Sequence, residues 1–154
     1  MGYTHYMNQK KEIPQEKWNE EVIPAVKAII ETATEKWNIP IVGPISEQDT
    51  FPEFNNDRIM FNGIGEDSHE TMEVLRQPRE FYFCKTARKP YDAVCVAVNV
   101  WLETCFKSYF SWSSDGEGED YKTEGERLLY DTFKFEALNR RGLIKALKEK
   151  VAAA

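Results

Sequence analysis

Between an aromatic run and an apolar one, Phe81-Tyr82-Phe83-Cys84-Lys85-Thr86-Ala87-Arg88-Lys89-Pro90-Tyr91-Asp92 places three cations and a hydroxyl. Lys85, Arg88 and Lys89 are the residue types that hold phosphate, Arg as a planar fork of donors and Lys as a compact charge. Thr86 adds a hydroxyl. Pro90 suits the first position of a helix, where its missing N–H has no intrahelical partner to lose. The amides of that first turn, with Lys85, Thr86, Arg88 and Lys89 around them, form an anion cradle. Asp92 falls in the same turn, where a carboxylate suits the helix dipole and can pin Arg88 or Lys85. Tyr91, Tyr82 or Tyr3 would stack on a base, while His5 and Asn62 would contact the rest of the ligand. The expected ligand is a phosphorylated or nucleotide-like small molecule, bound without a cofactor and without turnover. The bland reading of the same residues is a set of solvated loop cations.

The two histidines point to a different chemistry. His69-Glu70-Thr71 spells the His-x-Thr pattern of two-histidine phosphoesterases, in which the pair serves as general acid and base. His5 would be the partner, but Tyr6 and Met7 follow it, so the second motif is missing. Catalysis by His5, His69 and Thr71 is therefore the alternative to simple binding, and a helix-capping turn is the plainer reading of His69. A third pattern tests calcium. Asp115, Glu117, Glu119, Tyr121, Thr123 and Glu126 follow an EF-hand-like count, but Asp120 stands where the sharp turn needs glycine. The expectation is a solvated loop and no metal. There is no P-loop, no dinucleotide-binding glycine fingerprint and no nucleophile elbow.

Composition narrows the choice of partner. The 154 residues carry a formal net charge of −6, which argues against broad nucleic-acid binding. Cys84, Cys95 and Cys105 are odd in number and lack zinc-ligand spacing, and two of them fall in an apolar helical run. Buried thiols and a reducing, cytoplasmic location are expected. Neither a signal peptide nor a membrane-spanning run is legible.

The elements that must position these residues follow from periodicity. Tyr3, His5 and Met7 alternate with Thr4, Tyr6 and Asn8, which predicts a strand over 2–8. Pro14 opens a long helix with an apolar stripe through Trp18, Val22, Val26, Ile29, Ile30, Ala33 and Trp37, and Pro24 should kink or split it. Residues 39–57 show no clean period and read as an ordered surface loop. Strands are expected over 58–61, 80–85 and 109–113, with a short helix over 68–75 capped by Ser68. The segment 90–106 is apolar nearly all round, which predicts a central helix. Two further helices are expected over 125–135 and 138–151. The predicted fold is α+β: a four-stranded, mostly antiparallel sheet packed by helices, a ferredoxin-like β-α-β-β-α-β core with C-terminal helices. It forms a single globular domain over 1–151, with 152–154 as an unpacked tail.

Met1-Gly2-Tyr3-Thr4-His5-Tyr6, Phe61-Asn62-Gly63, His69-Glu70-Thr71, the segment from Phe83 to Asp92, and Ser113-Ser114-Asp115-Gly116 together resemble a family of small bacteriophage proteins with no established activity. The resemblance spans most of the chain and is most specific in Phe83 to Asp92. It implies a phage setting and a host-cytoplasm location, and it transfers no catalytic residue. In that setting, sequestering a nucleotide signal of host defence would fit an anion cradle flanked by aromatics. A homo-oligomer, or a host protein docked on the 39–57 or 115–126 loop, is also compatible with the sequence.

Overall fold

The computed structural model of the protein describes residues 3–115 and 120–154. In chain order its elements are β1 (Thr4–Gln9), α1 (Ile23–Lys36), β2 (Glu53–Phe54), β3 (Arg58–Phe61), β4 (Met72–Leu75), β5 (Arg79–Lys85), α2 (Asp92–Cys105), β6 (Phe110–Ser114), α3 (Thr123–Phe133) and α4 (Arg140–Ala153). The class is mixed α+β, as expected. In place of one four-stranded sheet, however, the described strands pair in two three-stranded antiparallel sheets, ordered β5-β1-β6 and β2-β3-β4. The second sheet arises because Glu53–Phe54, inside the segment read as loop, pairs with β3. The predicted helix over 68–75 is also corrected. Met72 and Val74 are buried beside partly exposed Glu73, a period-two pattern, and the segment pairs with β3 instead. Ser68 donates its hydroxyl to Gly65 O at 2.5 Å rather than capping a helix.

Pro24 acts as its chemistry requires. It lacks an N–H and crowds the carbonyl four residues back, and the turn before it opens into a π segment, Trp18–Val22, between a short first turn and α1. Two indoles anchor that region: Trp18 Nε1 donates to Asn55 O at 2.9 Å and Trp101 Nε1 to Glu21 O at 3.0 Å.

The central helix is α2, buried from Ala93 through Leu102. Each fully buried Val or Leu there contributes roughly 1.5–3 kcal/mol, which explains why no polar face was legible. The first sheet lies over it with β1 in the middle. His5, Met7 and Gln9 of β1 face inward, while Thr4, Tyr6 and Asn8 lie on the outer face. His5 sits opposite Cys84 and Ser114, which places it directly above the start of α2.

Candidate functional site

The chain leaves β5 at Lys85 and enters α2 at Asp92 through a tight turn. Thr86 N donates to Tyr3 O at 2.9 Å, and Lys89 N donates to Thr86 O at 3.0 Å. Both central residues are left-handed, Ala87 at φ 52° and Arg88 at φ 58°. Neither is glycine, so the turn carries roughly 1–2 kcal/mol of strain per residue, a feature that clusters at functional sites. What the strain achieves is visible in the side chains. Thr86 points inward and is buried, while Arg88 swings outward to lie over the Tyr3 ring, its guanidinium carbon 4.1 Å from the ring centroid.

Beside this turn lies a cleft of about 280 Å³, lined by Tyr3, Arg88, Lys89, Asp92, Tyr121 and Glu124, with Pro90 and Ala93. Its size is at the low end for small-molecule sites, enough for one compact ligand. Asp92 is its best-ordered polar group. Asp92 Oδ1 receives His5 Nε2 at 2.6 Å and the Thr86 hydroxyl at 2.5 Å, while Oδ2 takes no hydrogen bond among the described residues. The carboxylate is thereby fixed in direction, with a free oxygen beside the cleft. Behind it His5 is fully buried, edge-on to both Tyr3 (5.2 Å) and Trp112 (5.6 Å). With Nε2 carrying the proton, Nδ1 is a buried acceptor without a partner. Trp112 extends the aromatic row to Tyr121 at 5.3 Å, and Lys122 Nζ lies 5.7 Å from the Tyr121 ring. Burial pushes the Tyr3 phenol above its ordinary value, with the Ser114 hydrogen bond and Arg88 pulling the other way.

The sequence expectations divide cleanly. Tyr3, Arg88, Lys89 and Asp92 line one cleft, with buried Thr86 and His5 holding Asp92 from behind. Asp92 therefore pins neither Arg88 nor Lys85. The amide cradle is weaker than expected, because Asp92 N already donates to Lys89 O and the amides of Val94 and Cys95 to Tyr91 O. Any anion must rest chiefly on the side chains of Arg88 and Lys89. Lys85 ends β5 away from the cleft, its amide bonded to Glu70 Oε1 at 2.6 Å. Tyr91 and Tyr82 are core residues, and the Tyr91 hydroxyl donates to Glu70 O at 2.6 Å, so neither stacks on a ligand here. Asn62 is buried and organises its own loop, donating to His69 O at 2.9 Å and accepting from Gly63 N at 2.8 Å.

His69 is exposed, and no contact joins it to His5 among the described residues. Thr71 donates its hydroxyl to Pro44 O at 2.8 Å. Of the calcium pattern, Glu117 and Glu119 lie outside the described residues. Asp115 is engaged by Thr4 N at 3.1 Å and the Tyr6 hydroxyl at 2.8 Å. Among the described residues, no group of three His, Cys, Asp or Glu side chains is placed to hold a metal ion. Tyr121 and Glu124 are the lining residues that sequence reasoning missed. Tyr121 appeared only within the calcium count, and nothing in the sequence linked either residue to the turn 32 or more positions earlier. No helix of the described chain is long and apolar enough to cross a membrane. Against known protein families, curated proteins and solved structures, no match to this chain was found.

Proposed function

We propose that this cleft binds a small phosphorylated, nucleotide-like ligand and holds it unchanged. The observation that carries the reading is the convergence of Arg88, Lys89, Tyr3 and Asp92 on one cleft. Arg88 and Lys89 supply the charge for a phosphate, with the Arg88 guanidinium laid on the buried Tyr3 ring, and Tyr121 supplies a ring face. Asp92 Oδ2 and Glu124 accept from hydroxyl or amino donors on the same ligand. A bare anion would meet two carboxylates in this cleft, so a ligand with donors beside its phosphate fits better than phosphate alone. Holding is favoured over two-histidine chemistry because His5 is buried and bonded to Asp92, with no contact to His69 among the described residues. The resemblance to phage proteins supports a counter-defence role in the host cytoplasm, as a sequestering protein for a nucleotide signal.

The test is a fate assay. Purified protein is incubated with a panel of mononucleotides and cyclic and linear oligonucleotide signals and filtered, and the retained fraction is released by heat for mass spectrometry. Recovery of one compound intact, lost on Arg88→Glu with Lys89→Glu, is expected. Recovery as fragments would replace the reading with an enzyme, and a panel left wholly in the filtrate would overturn it.

A further inference from the structure

Among the apolar features on the described surface, two that lie outside this cleft complement one another. The first is on the loop between α1 and β2, where Phe51 is 77% exposed and Ile45 64%. From residue 37 to residue 57 the chain has four carboxylates, Glu47, Asp49, Glu53 and Asp57, and no Lys or Arg. Gly65 N donates to Ser46 O at 3.0 Å, which brings the turn bearing Glu66 and Asp67 alongside. The loop is also built rather than loose. Thr50 Oγ1 donates to Glu47 O at 2.6 Å and accepts from Gly43 N at 3.1 Å, and Val42 bridges Asn62. A Cβ on Gly43 would stand 2.8 Å from Phe51 O, so the two ends of the loop close on a glycine. Large exposed apolar side chains on a pre-ordered loop cost little entropy to dock.

The second feature is a groove of about 430 Å³ between the start of α1 and the end of α4, floored by Pro24, Ile144, Leu147 and Val151. Beyond Pro24 and Val151 it continues into a hollow of about 380 Å³ that reaches Lys27 and Lys150. Val151 is 54% exposed. Against the acidic chain, α4 is basic: Arg140, Arg141, Lys145, Lys148 and Lys150 oppose Glu149 alone, a net +4 in a protein of net −6. Glu20 and Glu31 lie on the α1 side of the groove with a single cation, Lys27, which is drawn to the Phe54 ring at 5.0 Å, and Glu21 is paired with Arg140 at 2.8 Å. The positive edge is therefore the α4 side.

We infer that the loop of one copy seats in this groove of a second copy. Phe51 and Ile45 pack on Pro24, Leu147 and Val151, while Glu47 and Asp49 face Lys148 and Lys150. The charges fix the orientation, since the reverse placement sets the loop carboxylates against Glu20 and Glu31. One contact thus accounts for an exposed acidic, apolar loop and an exposed basic-edged, apolar groove on the same chain. It is independent of the ligand cleft.

The test is the oligomeric state of the full chain by sedimentation equilibrium over a range of concentrations, at low and high salt. Concentration-dependent association that weakens in high salt is expected. Phe51→Asp and Val151→Asp should each give a monomer with an unchanged far-ultraviolet spectrum, since both side chains are exposed. An equal mixture of the two variants should associate again, because one intact loop and one intact groove remain. A wild-type monomer at every concentration would overturn the proposal and leave the loop for a different protein. Association that survives either substitution, or a mixture that stays monomeric while the wild type associates, would overturn it equally.

Discussion

His5 Nε2 lies 2.6 Å from Asp92 Oδ1, tying the middle strand of the first sheet to the first residue of the central helix across 87 positions of chain. The same oxygen takes the Thr86 hydroxyl, so two donors from fully buried residues converge on one carboxylate. Removing the acceptor strands the His5 donor and leaves the Thr86 hydroxyl only a long contact to Tyr3 O at 3.5 Å. Asp92→Ala should lower stability by about 1–3 kcal/mol for each donor left without a partner. Asp92→Asn, which keeps an oxygen in place, should lose less. Urea unfolding of the two variants measures the difference. Equal loss in both would mean that charge rather than hydrogen bonding holds the pair.

A second contact sets how closely two helices approach. A Cβ on Gly125 of α3 would stand 2.2 Å from Val96 Cγ1 and 2.8 Å from Ala97 N on α2. Alanine is the better helix former by about 1 kcal/mol, so propensity alone favours Gly125→Ala. Overpacking against a buried helix opposes it and typically costs about 1–3 kcal/mol. The expected outcome is a lower melting temperature. A higher one would show that the two helices move apart at little cost and that the close approach is incidental.

Why some of this was legible in the sequence, and some was not, comes down to the range of each interaction. The β1 strand announced itself through alternation, and α2 through an apolar run too long for a strand. Pro24 marked the break in the first helix by local sterics alone. In the cleft, Arg88, Lys89 and Asp92 lie within five residues of one another, and Tyr3 was reachable because its ring could serve any base. The second sheet was not legible, because β2 is two residues long and its identity depends on pairing with β3. Residues 68–75 misled because Ser68 has the chemistry of a helix cap. The choice between cap and turn was decided by Asn62, whose side chain binds both His69 N and His69 O. Asp92 was assigned to the wrong partners for the same reason: the sequence offered nearby cations, and the fold supplied a distant histidine.

Alkaline pH should destabilise the protein in a defined window. Burial pushes the Cys105 thiol up to about 12 from an ordinary value near 9, and it also pushes the Cys95 thiol and the Tyr82 and Tyr91 phenols upward. Each group keeps its proton longer in the folded state than in the unfolded chain. Folding is therefore unaffected by them below about pH 9 and loses stability as pH rises from there toward 12. Urea midpoints at pH 7, 9 and 11 should fall only over the second interval, and Cys105→Ala should make that fall shallower. A midpoint that drops as steeply in the variant would assign the alkaline loss to the tyrosines and Cys95.

The last prediction concerns how Arg88 works. Its guanidinium lies 4.1 Å from the Tyr3 ring centroid, so the ring orients the fork as well as attracting its charge. Arg88→Lys keeps the charge but loses the planar fork and its stacking, and it should weaken retention of the nucleotide-like ligand about tenfold, equivalent to about 1.4 kcal/mol. Arg88→Ala should weaken it further, and Tyr3→Leu should resemble the lysine variant, since it leaves the cation but removes the face that aligns it. Titration calorimetry with the compound retained in the fate assay separates these cases. If lysine binds as tightly as arginine, Arg88 acts only as a point charge. The strained left-handed turn at Ala87 and Arg88 would then serve merely to bring that charge to the cleft.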